Sequence, residues 1–318
     1  MPRILLIKTS SLGDVVHNLP VVTDIVAAMP EVTIDWVVEE AFAGIPRLHP
    51  QVSRILPVAV RRWRGGLWRP SVWHEMRAFT RALRGRTYDA VIDTQGLLKS
   101  AWIARAAHGV RHGLDRKSSR EPLAWLYDHT HAVAWGQHAV ERNRLLAAQA
   151  LGYTVSTPAQ YGIKAEAQTF NWLEAGRSHA ILLHATSADR KLWPEDRWIE
   201  LGCALAAQDV TSVLPWGVPA EFERSRRLAQ NIPLAVVPER VTLSVLAALL
   251  AQARVVVGAD TGLTHLAGAL GVPTVGVYCA TDPAATGLHA CVCSVNLGGI
   301  NAPPSAAQVI VAANEMMR

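Results

Sequence analysis

Segment 258–265 (GADTGLTH) has the residue types and spacing of an anion-binding site. It follows an apolar run and opens an apolar helical pattern. The first N–H groups of a helix and its dipole favour an anion, Gly262 lets a phosphate approach the backbone, and Thr261 offers a hydroxyl donor. His265, one turn further along, could face the same ligand. The alternative is an ordinary capped helix with His265 in the core.

A second polar segment, 184–191 (HATSADRK), also follows an apolar run. Thr186 and Ser187 supply adjacent hydroxyls, and Lys191 supplies a compact positive charge suited to diphosphate oxygens. Taken alone, the segment slightly favours a solvated loop carrying a surface lysine, but two phosphate-suited loops at strand ends of one domain reinforce each other. The sequence contains no GxxxxGK[ST] motif and no GxGxxG motif after a strand, which disfavours NTP hydrolysis and NAD or FAD chemistry.

Two carboxylates are candidates for contacts with substrate hydroxyl groups. Glu221 follows the turn 215–217 (PWG) and could bind a ribose, although an acidic residue in a helical first turn fits the pattern equally well. Asp14 ends the loop 10–14 (SSLGD) after the first apolar run and could act as a general base on an acceptor hydroxyl. Because Asp commonly caps a helix, the residues alone favour capping for Asp14.

Basic residues cluster in the first half of the chain. The net charge of +5 and the pI near 9.2 indicate an anionic partner. The basic residues concerned are Arg61, Arg62, Arg64 and Arg69, interleaved with Trp63 and Trp68, and then Lys99, Arg116, Lys117, Arg120 and Arg142. Repeated arginine beside tryptophan favours recognition of carboxylate or phosphate over a merely solvated face. Single-stranded nucleic acid would also suit this pattern, but no nucleic-acid-binding module is visible.

Short apolar runs alternate with helical patterns, which is typical of parallel sheets covered on both faces. The predicted strands are 3–8, 33–38, 55–60, 90–93, 180–184, 211–214, 235–237, 255–258 and 274–278. The predicted helices include 15–29, capped by Asp14, and 72–83, 197–207, 221–230 and 243–250. We therefore predict an α/β fold with two Rossmann-like domains facing each other across a cleft, and ligands beyond the C-terminal ends of the strands.

The predicted domain boundary lies near 152–164, where a helical pattern ends at Gly152 and a Thr/Pro/Gln/Gly-rich stretch follows. The length of 318 residues suits two domains, which we assign to 1–155 and 165–300. A C-terminal helix is predicted over 303–318, and packing of this helix against the first domain is left open.

The four cysteines and the N-terminus indicate a cytosolic protein. The chain starts directly with a strand-like run, lacks a signal-peptide cleavage site, and contains no apolar run long enough to cross a bilayer. A disulfide framework would be unusual in such a protein. His289, Cys291 and Cys293 could be soft metal ligands, but without a second ligand pair we interpret them as alternating residues of one short strand.

Eight segments, in order along the chain, resemble the ADP-heptose:lipopolysaccharide heptosyltransferases of glycosyltransferase family nine, in particular those adding the first heptose to the inner core. The segments are 8–14 (KTSSLGD), 35–40 (DWVVEE), 61–64 (RRWR), 88–93 (YDAVID), 137–142 (QHAVER), 184–186 (HAT), 214–217 (LPWG) and 260–265 (DTGLTH). The resemblance implies a GT-B fold, with the acceptor in the first domain and the nucleotide sugar in the second. It also implies an inverting transfer, without metal or cofactor, from ADP-L-glycero-D-manno-heptose to Kdo of Kdo-lipid A.

The resemblance also implies roles for residues of the second half. Lys191 would stabilise the leaving diphosphate, Asp260 would bind heptose hydroxyls, and Glu221 would bind the adenosine ribose. The residues implied to hold or adjoin the phosphates are Thr186, Ser187, Thr261, Gly262 and His265. Two positions depart from the family: Ser187 stands where threonine is common, and Val241 stands near the adenine where methionine is common.

In the first half, the resemblance makes Asp14 the general base, in place of a helix cap. Kdo carboxylates and lipid A phosphates would meet the basic residues Arg61, Arg64, Lys99, Arg120 and Arg142. The acceptor implies peripheral attachment to the cytoplasmic face of the inner membrane, near Trp68 and Trp73. Nucleic acid is not an expected partner. The alternatives are a related transferase with another sugar donor or a later core acceptor, and a non-catalytic module that binds anionic lipid or RNA.

Overall fold

The computed structural model describes residues 1–174 and 176–318 and divides the chain into two compact units. The first unit is Met1–Ile163 and the second is Lys164–Arg318. The division falls inside the segment predicted to connect two domains. The preceding helix ends at Gly152, whose positive φ of 76° is the left-handed conformation that terminates many helices and that glycine adopts without strain.

The first unit is a six-stranded parallel sheet in the order β3-β2-β1-β4-β5-β6. Its strands are β1 (Arg3–Ile7), β2 (Thr33–Glu39), β3 (Val52–Val58), β4 (Thr87–Asp93), β5 (His108–Leu114) and β6 (His129–His131). Its helices are α1 (Leu12–Val16), α2 (Leu19–Ala28), α3 (Gly44–Arg47), α4 (Val60–Arg64), α5 (Pro70–Arg84), α6 (Leu98–Ala106) and α7 (Ala139–Leu151). The central strands read as continuous apolar runs because helices cover both faces of the sheet.

The second unit is built in the same way, in the order β12-β11-β10-β7-β8-β9. Its strands are β7 (His179–Leu183), β8 (Thr211–Val213), β9 (Ala235–Val236), β10 (Val255–Ala259), β11 (Thr274–Tyr278) and β12 (Ser294–Gly298). Its helices are α8 (Glu195–Ala206), α9 (Pro219–Ala229), α10 (Leu243–Ala251), α11 (Gly262–Ala269), α12 (Pro283–Thr286) and α13 (Ala306–Met316). The C-terminal helix α13 belongs to this unit, where Val309 and Ala313 are buried in its core.

Three details of the predicted elements are wrong. The single helix predicted over 15–29 is two helices, because Pro20 has no N–H to continue the first one and instead lies in the first turn of α2. The strand predicted to reach Val60 ends at Val58, and Val60 begins α4. Strands β5, β6 and β12 were not predicted.

The cysteine-rich segment also differs from its prediction. Cys291 and Cys293 precede β12, so they are not alternating residues of a strand. None of the four cysteines, all of which lie in the described part of the chain, forms a disulfide. Among residues 1–174 and 176–318, no group of three or more potential ligand side chains is arranged to hold a metal ion. Over the same residues, no helix is both long and apolar enough to cross a membrane.

Candidate active site

In each sheet the chain order reverses between two neighbouring central strands, and ligands of open α/β folds bind at this switch point. In the first sheet the strands are β1 and β4, and in the second they are β7 and β10. The loop after β1 contains Asp14, and the loop after β10 contains Asp260. The predicted segments 10–14, 184–191 and 258–265 therefore follow switch-point strands.

Asp260 is the centre of a hydrogen-bonded cluster at the second switch point. Lys191, from the loop after β7, places its Nζ 2.7 Å from Asp260 Oδ2. Thr281, from the loop after β11, donates its hydroxyl to the same oxygen at 2.6 Å. His265 Nε2 lies 3.6 Å from the other oxygen, Oδ1. Three loops and the first turn of α11 thus converge on one carboxylate.

The partners of Asp260 determine its protonation state. Burial alone would raise the pKa of this carboxyl, but hydrogen bonds from His265, Lys191 and Thr281 lower its pKa well below the usual range. Asp260 is therefore a carboxylate at neutral pH and a weak proton acceptor. Such a group can accept hydrogen bonds from ligand hydroxyls.

Helix α11 begins against the end of β10 because small residues allow a close approach. Thr264 is fully buried and donates its hydroxyl to the carbonyl of Ala259 at 2.7 Å. A Cβ at position 258 would collide with the Thr264 side chain, so glycine is required there. Thr261 is the N-cap residue and its hydroxyl makes no cap hydrogen bond. The first turn of α11 is thus held beside Asp260 while the Thr261 hydroxyl is not used as a cap.

The other residues predicted to bind the donor lie on neighbouring loops. The Thr186 hydroxyl bridges to Ala188, donating to its carbonyl at 2.8 Å and accepting from its N–H at 3.2 Å, and Ser187 is exposed beside it. Glu221 Oε2 accepts the N–H groups of Gly217 and Val218, at 2.7 and 3.3 Å. This carboxylate therefore stabilises the start of α9, as the helix-turn alternative predicted.

Val241 lies on the loop between β9 and α10 and is half-buried. On the neighbouring loop after β8, Trp216 donates its indole N–H to the carbonyl of Pro238 at 2.9 Å. This bond ties the β8 and β9 loops together on one side of β7. Within the part of the chain that the structure describes, no hydrogen bond joins Glu221 or Val241 to Lys191 or Asp260.

At the first switch point, Asp14 lies in the first turn of α1 and is not the cap that the sequence pattern favoured. Ser11 is the N-cap residue, and it donates both its backbone N–H and its hydroxyl to Asp14 Oδ2, at 2.7 and 2.9 Å. No hydrogen bond from the residues of the described chain reaches Asp14 Oδ1. Asp14 is half-exposed, so this second oxygen is available to a ligand hydroxyl.

Side chains from the loop after β4 and from α6 hold the loop that carries Asp14. Gln95 Oε1 accepts the backbone N–H groups of Thr9 and Ser10, both at 3.0 Å. Lys99 donates to the Ser10 hydroxyl at 2.6 Å. Since both side chains come from the segment after β4, the two loops of the first switch point are tied directly to each other.

Positive charge is concentrated around this loop. Burial lowers the pKa of Lys99, and Arg61 and Arg64 on α4 lie close enough to lower it further, against the opposing effects of Glu39 and Asp14. A group of cations that destabilise one another in this way is suited to bind an anion.

Arg120 and Arg142 belong to a second basic cluster. Burial lowers the pKa of Arg142, and the nearby Arg120 lowers it further. Arg142 donates to the carbonyl of Ser118 at 2.7 Å, and its guanidinium lies 3.9 Å from the centre of the Trp135 ring. Both arginines also lower the pKa of the buried Lys8, which directly follows β1, although burial is the larger cause. Lys8 therefore connects the Arg120 and Arg142 cluster to the Asp14 loop.

Comparison with known proteins accounts for this arrangement. The profile of glycosyltransferase family 9 (heptosyltransferase) matches residues 76–312. The chain belongs to glycosyltransferase family 9. It is 48% identical over 289 residues to lipopolysaccharide heptosyltransferase 1 of Escherichia coli strain K12, covering 90% of each protein. The chain is thus a glycosyltransferase of the heptosyltransferase type.

Solved structures give the same result for the fold. The E. coli heptosyltransferase WaaC with ADP matches with a TM-score of 0.90 at 43% identity, covering 99% of each chain. The same enzyme with ADP-2-deoxy-2-fluoro heptose matches with a TM-score of 0.84 over 98% of each chain. The predicted GT-B fold class of two Rossmann-like domains is therefore confirmed.

The sequence did not single out three residues of this glycosyltransferase that the structure brings into the two switch points. They are Lys8, Gln95 and Thr281. Lys8 donates to the carbonyl of Thr94 at 2.7 Å and to the Asn143 side chain at 3.2 Å, which links β1, β4 and α7. Each of the three follows the C-terminal end of a strand, and this position was the signal that could have identified them.

Proposed function

We propose that this glycosyltransferase transfers L-glycero-D-manno-heptose from ADP-heptose to a Kdo residue of Kdo-lipid A, with inversion and without a metal ion. The observation that carries the proposal is the pair of unlike carboxylates, Asp14 with one oxygen available and Asp260 held by two potential cations and a hydroxyl. A transfer reaction needs one group to accept a proton and another to anchor the donor, and the two switch points offer one of each.

The second unit has the groups that a nucleoside diphosphate sugar requires. In this proposal the diphosphate binds at the first turn of α11, where Thr261 and Gly262 lie at the positive end of the helix, and beside Lys191 and the hydroxyls of Thr186 and Ser187. Asp260 accepts hydrogen bonds from the heptose. The E. coli WaaC structures contain ADP and an ADP-heptose analogue, which supports the choice of nucleotide and sugar.

The proposed chemical step gives each of these groups a role. Asp14 Oδ1 removes the proton from the Kdo hydroxyl, whose oxygen attacks the anomeric carbon of the heptose as the bond to the ADP oxygen breaks. Attack on the face opposite the leaving group inverts the anomeric configuration. Lys191 and the N–H groups of α11 stabilise the negative charge that develops on ADP, which is the role of a metal ion in other transferases.

The acceptor is assigned to the basic loops of the first unit. Lys99 lies near Asp14 and near Arg61 and Arg64, and the acceptor's carboxylate and phosphates are the anions that this group of cations would bind. Arg120 and Arg142 extend the positive surface from the side of Lys8. The chemistry is thus that of an anionic sugar acceptor.

We further propose that the protein attaches peripherally to the cytoplasmic face of the inner membrane through α5. Trp68 is 75% exposed and Trp73 on α5 is 48% exposed. A shallow groove along this helix is lined by Trp73, Arg77, Arg81 and Arg84 together with Met76 and Thr80. Exposed tryptophans beside a row of arginines suit a surface of anionic lipid.

One assay tests the proposal directly. The purified protein is incubated with Kdo-lipid A and, in separate reactions, ADP-heptose, a GDP-sugar and a UDP-sugar, with and without EDTA. Release of nucleoside diphosphate is measured together with the configuration of the product. We expect release from ADP-heptose alone, unaffected by EDTA, and an inverted linkage. A preference for another donor, or transfer only to an acceptor already carrying heptose, would contradict the proposal.

A further inference from the structure

An apolar groove in the first unit opens beside Lys99, in the first turn of α6. It has a volume of about 270 Å³ and runs between α4, α5 and α6. Its apolar walls include Trp63, Met76, Phe79 and Trp102. The Trp102 side chain is 53% exposed although it faces an apolar surface, and Leu67 at the groove is 48% exposed. Large exposed apolar side chains that meet at one concave surface mark a binding site.

The groove is continuous with the proposed acceptor site. Lys99 and Arg64 both line it, and the Lys99 ammonium reaches Ser10 in the Asp14 loop. Long basic side chains commonly lay their methylenes along an apolar surface and keep their charge at its edge. A ligand that fits here therefore has an anionic head beside Lys99 and Arg64 and an unbranched apolar tail.

We propose that this groove binds one acyl chain of the lipid acceptor while the acceptor's sugar lies at Asp14. The inference rests on the proposed function for the identity of the acceptor. It goes beyond that function because it assigns the enzyme a subsite that binds the acyl part of the substrate. Charge complementarity and continuity with the Asp14 loop favour the acceptor's own chain over a lipid of the surrounding bilayer.

Ala106 offers a way to fill the groove without touching the catalytic loops. It lines the groove near the C-terminal end of α6 and is half-buried, so Ala106→Phe places a ring in the space proposed for the chain. Ala78→Phe is the matched control, because Ala78 is exposed on α5 and does not line the groove. Thermal unfolding of both variants verifies that they fold.

The first measurement compares Kdo-lipid A with the same acceptor after complete deacylation. We expect the wild-type KM for the acylated acceptor to be lower by at least about tenfold, since several methylenes leave water. Ala106→Phe should bring the two KM values together, Ala78→Phe should keep the wild-type ratio, and all three proteins should use the deacylated acceptor equally well. Equal KM values in the wild type, or an unchanged ratio in Ala106→Phe, would overturn the proposal.

The second measurement does not depend on the transfer reaction. Calorimetry compares decyl phosphate, below its micellar concentration, with inorganic phosphate. We expect decyl phosphate to bind at least about tenfold more tightly to the wild type and to Ala78→Phe, but not to Ala106→Phe. If the wild type transfers heptose to neither acceptor while this preference persists, the proposed function fails and the groove's affinity for an alkyl chain stands. If the wild type does not prefer decyl phosphate to inorganic phosphate, the proposal that the groove binds an alkyl chain is overturned.

A third measurement separates the acceptor's chain from bilayer lipid. Sedimentation with anionic phospholipid vesicles should be the same for the wild type and Ala106→Phe, because the proposed membrane contact is on α5. Loss of vesicle binding in Ala106→Phe without any change in the KM ratio would assign the groove to a bilayer lipid and overturn the proposal.

Discussion

In both sheets a lysine joins the two loops of the switch point, but the two lysines have different partners. Lys99 in the first unit reaches the hydroxyl of Ser10, and Lys191 in the second reaches the carboxylate of Asp260. Within residues 1–174 and 176–318, the carboxylate of the first switch point, Asp14, accepts hydrogen bonds from Ser11 only. One fold has thus placed a carboxylate after a switch-point strand twice, once with an oxygen available and once inside a cluster of partners.

The difference decides which carboxylate can accept a proton. Asp260 is surrounded by Lys191, His265 and Thr281, and a carboxylate whose pKa is lowered by such partners is a poor base. The proposed function therefore uses it as a fixed ligand for the donor. Among the described residues, no lysine, arginine or histidine forms an ion pair with Asp14, and the half-exposed side chain keeps its second oxygen without a hydrogen bond from them.

The largest effect is expected for Asp14→Asn. The amide keeps an oxygen for the cap hydrogen bonds from Ser11 but cannot take up a proton, so kcat should fall by about 10²- to 10⁴-fold. The affinity for ADP, measured by calorimetry, should stay within about twofold of the wild type, since no donor contact changes. A kcat for Asp14→Asn close to the wild-type value would show that Asp14 is not the general base. The two carboxylates would then not differ in the way described.

Lys191→Met should have the next largest effect. Loss of the ammonium removes a charge that stabilises the leaving diphosphate, so kcat/KM for the donor should fall by about 10²- to 10³-fold. ADP affinity should fall as well, unlike in Asp14→Asn. The matched control is Arg190→Met, because Arg190 precedes Lys191 in the same loop and is exposed. An equal loss in both variants would show that the loop's general charge matters and not the Lys191 position.

The sequence predicted the parts of these sites that depend on short-range pattern. The loops after β1, β7 and β10 were found because each follows an apolar strand and contains small, hydroxyl or charged residues. The residues alone offered a general base at Asp14 and a diphosphate ligand at Lys191 only as alternatives, and the resemblance to a family favoured these roles. Those roles remain proposals.

The contacts that distinguish the two carboxylates were not predictable from local pattern. Asp260 and Thr281 are 21 residues apart in the chain, and Lys8 and Asn143 are 135 residues apart. Only the parallel pairing of the strands brings such residues together. Strand β5 was missed for a related reason, since its two glycines have low strand propensity and its pairing with β4 stabilises it.

Gln95→Leu tests whether Gln95 holds the Asp14 loop in position, as the ion pair of Lys191 holds Asp260. The second switch point is held by an ion pair, whereas Gln95 holds the first through two backbone N–H groups. Loss of this acceptor should misplace Asp14 and lower kcat by about tenfold, with a cost of about 1–3 kcal/mol in the free energy of unfolding.

Gln95→Glu is the control for that change, because its carboxylate oxygen can still accept both N–H groups. We expect it to recover most of the kcat lost in Gln95→Leu. If kcat falls equally in Gln95→Leu and Gln95→Glu after correction for the unfolded fraction of each protein, Gln95 has no positioning role.

The smallest effect concerns the pH dependence of acceptor binding. Burial and the neighbouring Arg61 and Arg64 lower the pKa of Lys99, and only its protonated form attracts an anionic acceptor. As pH rises through this lowered pKa the charge is lost, so the acceptor KM should rise by about two- to fivefold. The rise should begin below about pH 10.4, where ordinary lysines titrate.

Lys99→Arg tests whether that rise belongs to Lys99. Arginine stays charged over the whole range, so its acceptor KM should be flat where that of the wild type rises. The donor KM, measured in parallel, should show no difference between the two proteins, because Lys99 belongs to the first switch point alone. If the acceptor KM of Lys99→Arg rises with pH as in the wild type, a group other than Lys99 titrates at the acceptor site. The cations around Asp14 would then no longer distinguish Asp14 from Asp260.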